Sequence, residues 1–269
     1  MTELVVVEAG WGTSVQDAGR PGFAELGVPK SGALDPPLRE LLNRLLGNPP
    51  DAAVLETLGG LRLRATTAVV VATSADVAAT GRLAGEEITV DPAAGSLWGY
   101  LAIRGGLDVP PVLGSRSTDS RSGLGPMAVT AGVRLPVGPD PCTPIVVDQA
   151  PPLDRRAVVD IWPGPRGDWF VPGSLQTMAA TTWTVSSDVS RVGARLDGAP
   201  LVRRHHQELP SEGLLPGAVQ VPPDGRPVVM LADHPTTGGY PVIAVVDPSS
   251  LPTVAQTRPG SPLRFRLVT

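Results

Sequence analysis

The sequence has 269 residues, a hydrophobic fraction of 42% and a formal net charge of −4. This apolar fraction and this small charge exclude an unfolded polymer, and the length allows one large or two modest domains. The chain has no basic patch for nucleic acid, no apolar run of membrane-spanning length and no charged-then-apolar leader, so we expect a soluble, cytoplasmic protein that binds neither nucleic acid nor membrane.

Strand-like segments recur at short spacing along the sequence. Gly and Pro number 31 each, which favours many short strands joined by turns. The predicted strands are Leu4–Glu8, Ala68–Ala72, Glu87–Val90, Trp98–Ile103, Val133–Val137, Ile145–Asp148, Val158–Trp162, Trp183–Val185, Val228–Ala232, Val242–Val246 and Leu263–Val268. This spacing predicts an all-β barrel or sandwich with a few short helices. The Pro-rich stretch 136–152 suggests domains over 1–145 and 146–269, a division that allows for exchanged strands.

One helix is clearly signalled near the N-terminus. Asp35 is suited to cap it, and Pro36 fits the first helical position, where a missing N–H costs nothing. The apolar positions that follow have helical spacing: Leu38, Leu41, Leu42 and Leu45. Gly47 stands where a left-handed cap is wanted, and the leucine face is expected to pack on a sheet. A shorter helix is predicted over Ser174–Ala179.

Two rare residue types exclude several kinds of chemistry. Lys30 is the single lysine, and Val28-Pro29-Lys30-Ser31 is not the Met-Lys-Met type of biotin attachment site. No Gly-Lys-Ser/Thr triplet occurs, so the chain does not bind ATP through a P-loop. Cys142 is the single cysteine, which excludes an internal disulfide, and no spacing of His, Cys and carboxylates suggests a metal.

The stretch Asp233–Tyr240 lies between two predicted buried strands. It holds an acid, an imidazole, two hydroxyls, a phenol and two glycines. A rigid sheet that carries such a loop is a common way to present a small-molecule site. A hairpin loop whose Thr and Asp side chains bind their own backbone explains the same composition. Both interpretations stay open on composition alone.

Further polar motifs precede and follow this loop: Thr13–Gly22, Gly27–Asp35, Tyr100–Gly106, Val109–Thr118, Ile161–Pro165, Ser211–Gly213, Gly217–Gly225 and Ala255–Gly260. As an ordered set, from about Thr13 to about Phe265, they resemble the family known as allophanate hydrolase subunit 2, as KipA, or as the C subunit of 5-oxoprolinase. The same module resembles part of the carboxyltransferase region of urea carboxylase.

The resemblance implies two cyclophilin-like β-barrels and a role as the C subunit of an ATP-dependent 5-oxoprolinase, which hydrolyses 5-oxo-L-proline to L-glutamate. It also implies two partners, a KipI-like protein of related fold (the B-type component) and a lactam-utilisation protein (the A-type component). ATP with Mg is then used by the complex, with no cofactor assigned to this chain. The alternatives are a regulatory protein that antagonises a kinase inhibitor of related fold, and a component of an allophanate hydrolase or urea carboxylase.

One stretch departs from the family pattern. Relatives usually carry Ser-Asp-Arg-Met-Gly-Tyr-Arg-Leu where this chain has the sequence from Val189 to Leu196. Arg191 is retained. Ser190 stands where relatives have an acidic residue, and Ala194 stands where they have an aromatic residue. If that acid holds the arginine in relatives, the partner of Arg191 must come from elsewhere in this chain.

Opening a lactam that carries a carboxylate requires a cation, donors for the developing oxyanion and a base for water. Arginine is the preferred cation because its guanidinium grips a carboxylate with two bonds. The candidate substrate-binding residues are Gln16, Arg20, Ser31, Arg104, Arg116, Ser117, Arg191, Thr236, Thr237 and Tyr240. Asp17 and Asp35, like Gln16 and Ser31, are expected to line the same pocket mouth as the Asp233–Tyr240 loop. For each arginine, a surface position or a salt bridge at the barrel rim is the alternative.

Three residues are catalytic candidates. His234 is a candidate base or donor, oriented by Asp233, although direct pairing of these neighbours requires a turn. Glu212 lies in an otherwise uncharged turn and is a candidate acid or base. The alternatives are a structural loop histidine and a turn carboxylate that accepts backbone N–H bonds. His205 and His206, beside two arginines, are expected on the solvated surface.

Overall fold

A computed structural model describes residues 1–119, 121–153, 158–205, 207 and 209–268. The chain forms two compact units, of which unit 1 holds Met1–Arg20 and Ser31–Leu153. Unit 2 holds Pro21–Lys30 and Asp154–Thr269. The all-β prediction is confirmed, because strands dominate both units. The predicted domain limits, 1–145 and 146–269, stay a prediction. The two compact units are defined by contacts between residues, which do not show whether each part folds independently.

Unit 1 is built from two antiparallel sheets. Its strands are β1 (Glu3–Ala9), β2 (Ser14–Gln16), β3 (Val54–Thr57), β4 (Leu61–Ala65), β5 (Val69–Thr73), β6 (Ala79–Arg82), β7 (Glu87–Val90), β8 (Gly99–Ile103) and β9 (Arg134–Pro136). One sheet has the order β7-β4-β1-β9 and the other has the order β2-β3-β8-β5-β6. Together they enclose one hydrophobic core to which both contribute.

The strand β4 shows why the sequence folds this way. Leu61, Leu63 and Ala65 alternate with Arg62 and Arg64. Successive side chains of a strand point to opposite faces, so the three apolar residues are buried while the arginines face outward. This alternation fixes the register of β4 against its neighbours, because a slip by one residue would bury the two charges.

Helix α1 (Pro36–Leu45) confirms the predicted capping signals. The Asp35 carboxylate accepts a bond from the Leu38 backbone N–H at 3.3 Å. The leucine face is largely buried, and Gly47 adopts the left-handed conformation that ends the helix. Just before the cap, the Leu34 N–H donates to Glu56 of β3 at 2.8 Å, which ties the preceding segment to the sheet.

Unit 2 contains a closed barrel with the order β10-β17-β14-β15-β12-β11-β18. The strands are β10 (Val158–Pro163), β11 (Thr182–Val189), β12 (Gly193–Asp197), β13 (Glu212–Gly213), β14 (Ala218–Gln220), β15 (Val228–Met230), β16 (Thr237–Gly238), β17 (Val242–Val246) and β18 (Pro262–Leu267). The parallel pairing of β10 with β18 closes the barrel, and β13 and β16 form a separate two-stranded sheet. The helices are α2 (Ser174–Ala180) and α3 (Leu251–Gln256).

Most predicted strands coincide with observed ones, and the helix predicted over Ser174–Ala179 is confirmed as α2. The strand predicted over Ile145–Asp148 is wrong. Its apolar side chains are exposed, with Val146 88% accessible, and no ladder forms in this segment, so it lacks the burial that makes an apolar run a strand. Strands β2, β3, β4, β6, β12, β13, β14 and β16, and helix α3, were not predicted.

Candidate functional site

A buried aspartate organises the polar loops of unit 1. The carboxylate of Asp17, just after β2, accepts bonds from the Ser115 and Ser117 hydroxyls, both at 2.6 Å. It also accepts bonds from the backbone N–H groups of Gly19 at 2.8 Å and Arg116 at 2.5 Å. Four donors satisfy the hydrogen-bonding capacity of this buried carboxylate. Asp17 therefore joins two predicted motifs that lie about a hundred residues apart in the sequence.

Three predicted substrate-binding residues lie close to this aspartate in sequence and are buried. Gln16, Arg20 and Ser31 are 0%, 1% and 4% exposed. Arg20 donates to the Ser117 carbonyl and, at 3.4 Å, to the Val112 carbonyl. In the described part of the chain, Arg20 Nη1, Gln16 Oε1 and Ser31 Oγ each have no hydrogen-bond partner. Buried polar atoms without partners are rare, so this group is unusual.

Arg104 has a structural role in unit 1. Its guanidinium binds the Asp140 carboxylate at 2.7 and 3.0 Å and the carbonyls of Leu46 and Thr143, both at 2.8 Å. The bond to Asp140 raises the pKa of Arg104, and the same bond lowers the pKa of Asp140. Both residues line a surface pocket of about 590 Å³. Arg104 thus ties the segment around residue 140 to the end of α1.

The side chain of Arg116 is engaged outside the Asp17 cluster. It donates to the Val109 carbonyl at 2.8 Å and to the Asp108 carboxylate at 3.2 Å. Only its backbone N–H contacts Asp17. The salt-bridge alternative therefore describes the Arg116 guanidinium in this structure, and its predicted contact with substrate stays a prediction.

In unit 2, Arg191 and Asp233 form a buried ion pair. Arg191 Nε lies 2.7 Å from Asp233 Oδ2, and Arg191 Nη2 lies 3.0 Å from Oδ1. The two side chains are 11% and 1% exposed. Asp233 also donates its backbone N–H to the Arg191 carbonyl at 2.9 Å. Asp233 is therefore the partner of Arg191, which Ser190 cannot be because it carries no charge.

This pairing corrects the predicted role of Asp233. Both carboxylate oxygens bind Arg191, so Asp233 does not orient His234 through a hydrogen bond. His234 is buried, and its Nδ1 donates to the Pro235 carbonyl at 2.7 Å. The neutral ring then carries its proton on Nδ1, which leaves Nε2 as an acceptor. Burial lowers the pKa of His234, an effect that the Pro235 bond and the charge of Asp233 partly oppose.

Glu212 is ion-paired with an arginine from outside its own turn, so the alternative of a turn carboxylate bound by backbone N–H groups does not describe it. Arg166 Nε lies 2.9 Å from Glu212 Oε2, and Arg166 Nη2 binds the other carboxylate oxygen. Strand β13 brings Glu212 opposite Gly238, so the acid lies beside the Asp233–Tyr240 loop. Arg166 was missed because the motif Ile161–Pro165 ends one residue before it. An acid or base role for Glu212 stays a prediction.

The remaining residues of the loop form its outer part. Thr237 and Tyr240 are exposed, and Thr236 is half-buried. The Thr236 carbonyl accepts a bond from the Leu214 N–H, and the Tyr240 carbonyl accepts one from Gln220 Nε2. The backbone of the loop is therefore held at two points, while Thr237 and Tyr240 are exposed.

The prediction of a solvated surface at His205 is wrong. The ring is half-buried and meets Trp169 edge-on, with 5.4 Å between the ring centroids. Arg203, which is buried, lies over the same indole at 5.7 Å. The indole therefore covers part of Arg203 and of His205, while Arg204 between them is exposed. His206 lies outside the described residues.

The described residues lack the features of a metal centre and of a membrane-spanning helix. Within their ranges, no three His, Cys, Asp or Glu side chains are grouped so that they could hold a metal ion. The helices of these same ranges all fall short of the length and apolarity that a membrane crossing requires.

With this geometry in place, comparisons with known proteins give the family. The model of the carboxyltransferase domain, subdomains A and B, matches residues 26–267. The chain belongs to this carboxyltransferase domain family. The C subunit of Escherichia coli 5-oxoprolinase is 38% identical over 97% of this chain and 90% of its own length. The Haemophilus influenzae protein of the same name is 32% identical over 95% of this chain and 88% of its own length.

Relatives in longer proteins support the same family assignment. Urea amidolyase of Lachancea kluyveri is 31% identical over 97% of this chain, which spans 16% of that protein. The solved structure of TTHA0988 matches with a TM-score of 0.88 and 33% identity over 99% of this chain, which spans 56% of that structure. The urea amidolyase of K. lactis matches with a TM-score of 0.89 at 28% identity and is covered to 19%. The fold of this module is therefore shared across proteins of very different length.

Proposed function

We propose that this protein is the C subunit of an ATP-dependent 5-oxoprolinase, a complex that hydrolyses 5-oxo-L-proline to L-glutamate. The observation that carries the proposal is the 38% identity to the C subunit of Escherichia coli 5-oxoprolinase over 97% of this chain and 90% of that protein. The match extends over nearly the whole of both chains, so it is not limited to one shared unit.

The reaction requires several kinds of chemical group, for binding the substrate, for stabilising charge and for proton transfer. ATP passes its terminal phosphoryl group to the lactam oxygen, which leaves ADP and activates the ring carbon. Water then adds to that carbon and gives up a proton, and the ring C–N bond breaks as the nitrogen takes up a proton, which leaves an acyl phosphate. A second water hydrolyses this acyl phosphate, so that phosphate leaves and glutamate forms. The site must hold the carboxylate, stabilise the developing negative charge and accept the proton of water.

His234 is the best-suited base of this chain. Its Nδ1 is fixed on the Pro235 carbonyl at 2.7 Å, and its lowered pKa keeps the imidazole neutral near pH 7. A neutral ring with a defined tautomer is ready to take a proton at Nε2. The Arg191–Asp233 pair fixes the start of the loop that carries it. The proposed role of the pair is to position His234.

The proposed complex contains a KipI-like protein of related fold, the B-type component, and a lactam-utilisation protein, the A-type component. ATP with Mg is used in the complex, and this chain does not bind it through a P-loop because no Gly-Lys-Ser/Thr triplet is present. The proposal includes no biotin attachment, since Lys30 is the single lysine and lacks the required neighbours.

Reconstitution of the three subunits tests the proposal through glutamate released from 5-oxo-L-proline. We expect no release when this chain is omitted, and undiminished release would refute the proposal. His234→Gln should lower kcat by about 100-fold or more while the subunits still co-purify. His205→Gln, at another described histidine, should leave kcat unchanged. Undiminished turnover without the chain, together with retained binding to the KipI-like partner, would favour the regulatory role.

A urea amidolyase-type function is the second candidate. The 31% identity to urea amidolyase of Lachancea kluyveri over 97% of this chain favours it. Assays of carboxyl transfer to urea and of allophanate hydrolysis, run on the same complex, separate it from lactam opening. Activity in either assay without release of glutamate would replace the first proposal.

A further inference from the structure

Unit 1 contains a buried guanidinium, that of Arg20, with one donor that no described residue accepts from. We propose that Arg20, Ser31 and Gln16 form a binding subsite for a small carboxylic acid that also carries an amide N–H, the chemistry of a lactam acid. The choice of 5-oxo-L-proline as that acid rests on the proposed function. The existence of the subsite rests on the three side chains alone.

Arg20 provides the main argument. Its side chain is 1% exposed, and its bonds go to two neutral acceptors, the carbonyls of Ser117 and Val112. Nη1 has no hydrogen-bond partner among the described residues. The Asp17 carboxylate is linked to Arg20 only through Ser117, whose hydroxyl donates to Asp17 and whose carbonyl accepts from Arg20. A buried guanidinium with an unused donor favours a ligand that can accept from it, and an anion is the strongest such acceptor.

The two neutral side chains complete the set of bonding groups. Gln16 Nε2 is bound to Ser14 Oγ at 2.9 Å and to the Thr118 carbonyl at 3.0 Å, which fixes the amide and leaves Oε1 as a buried acceptor without partner. The Ser31 hydroxyl is a buried donor without partner. A carboxylate matches the two donors, Arg20 Nη1 and Ser31 Oγ. The N–H of a lactam matches the acceptor on Gln16.

Two backbone contacts hold the segment that carries Ser31 against the loop that carries Gln16 and Arg20. The Asp17 carbonyl accepts the Ala33 N–H at 3.0 Å, and a Cβ added to Gly32 would lie 3.1 Å from the backbone of Ala18. The segment that carries Ser31 is thus pressed against the loop that carries Gln16 and Arg20. Ser31 itself has a φ of 54°, a left-handed conformation that few non-glycine residues adopt. All of these residues belong to unit 1, so the subsite is formed within that unit.

Calorimetric titration of the full chain tests the proposal with three probes: 5-oxo-L-proline, cyclopentanecarboxylate, which lacks the amide, and 2-pyrrolidone, which lacks the carboxylate. We expect 5-oxo-L-proline to bind most tightly. Arg20→Gln should weaken both carboxylates by about tenfold or more, because a charge-assisted bond is lost. Gln16→Leu should abolish the preference for 5-oxo-L-proline over cyclopentanecarboxylate. Arg64→Gln, whose side chain is 55% exposed in the same unit, is the matched control and should change neither affinity.

Ser31→Ala separates ligand binding from folding. The Ser31 hydroxyl has no partner, so its removal should raise Tm by about 2 °C or more while it weakens 5-oxo-L-proline binding several-fold. A merely structural hydroxyl would not move stability and affinity in opposite directions. The proposal is overturned if the wild-type chain binds neither carboxylate, or if Arg20→Gln and Ser31→Ala both bind as the wild type does.

Different experimental results would refute the proposed subsite and the proposed function. If omission of the chain leaves glutamate release intact while Arg20→Gln still weakens carboxylate binding, the subsite stands and its ligand is another amide-bearing acid. If omission abolishes release while the variants bind the probes as the wild type does, the function stands and this subsite is wrong.

Discussion

Replacement of Arg191 by glutamine should cost unit 2 much of its stability. Arg191→Gln removes two bonds, of 2.7 and 3.0 Å, from an aspartate whose side chain is 1% exposed. The carboxylate of Asp233 is then left buried without its cation. Loss of one partner of a buried pair typically costs about 3–5 kcal/mol, because the remaining charge keeps its desolvation penalty. In a unit of this size that corresponds to a fall in Tm of roughly 11–19 °C.

Unit 2 contains a matched control with similar geometry and different burial. Arg266 also binds an aspartate with two bonds, both of 2.7 Å to Asp160. Its side chain is 58% exposed and that of Asp160 is 17% exposed. Solvent screens such a pair, so Arg266→Gln should shift Tm only slightly. The two variants carry the same substitution, and burial is the main difference between the sites.

Thermal unfolding of the full chain, followed by circular dichroism at fixed pH and salt, measures both shifts. Because the chain has two compact units, the transition of unit 2 is identified as the one that moves in Arg191→Gln. Equal shifts for the two variants would refute the reasoning from burial. Asp233 would then have to be stabilised by other donors, and Arg191 would not be held by this aspartate.

Three further predictions concern single residues. Burial lowers the pKa of His234 below its ordinary value of 6.5, so the unfolded state binds the proton more readily and stability should fall as the pH drops below about 6.5. A plot of Tm against pH for His234→Gln should show less of this acid-side loss. A Cβ on Gly238 would lie 2.7 Å from Gln220 Nε2, so Gly238→Ala should cost about 1–3 kcal/mol in urea unfolding, whereas Gly213→Ala, with nothing within 4 Å, should cost little. Arg104→Gln should release the segment around residue 140, measured as faster proteolysis there.

Elements with local signals were predictable from the sequence. The cap at Asp35 and the spaced leucines define α1 by interactions within a dozen residues. Strands β7 and β17 were predicted to the residue. β7 alternates exposed and buried residues, and β17 is a short apolar run, and turns bound both.

Strands with buried polar side chains were not predictable in this way. Strand β3 is buried on both faces, yet it contains Glu56, which accepts bonds from the Tyr100 hydroxyl at 2.6 Å and the Leu34 N–H at 2.8 Å. From the sequence, a glutamate is expected on the surface, because charged side chains are rarely buried. Its burial is favourable here only because Tyr100 and Leu34, which are distant in the sequence, donate to it. The strand predicted over Ile145–Asp148 failed for the opposite reason, since apolar residues form a strand only where a neighbour pairs with them.

The partners of charged residues in the candidate site were also not predictable from neighbouring residues in the sequence. The sequence places Asp233 beside His234, and adjacency suggests that the acid serves the imidazole. The structure instead joins Asp233 to Arg191, which is 42 residues away, and the imidazole is held by the Pro235 carbonyl. Ser190 cannot provide a charge for Arg191, and Asp233 stabilises this largely buried arginine as its anion. The acid of the loop is therefore committed to a structural pair, and proton transfer at this loop falls to Nε2 of His234 in the proposed mechanism.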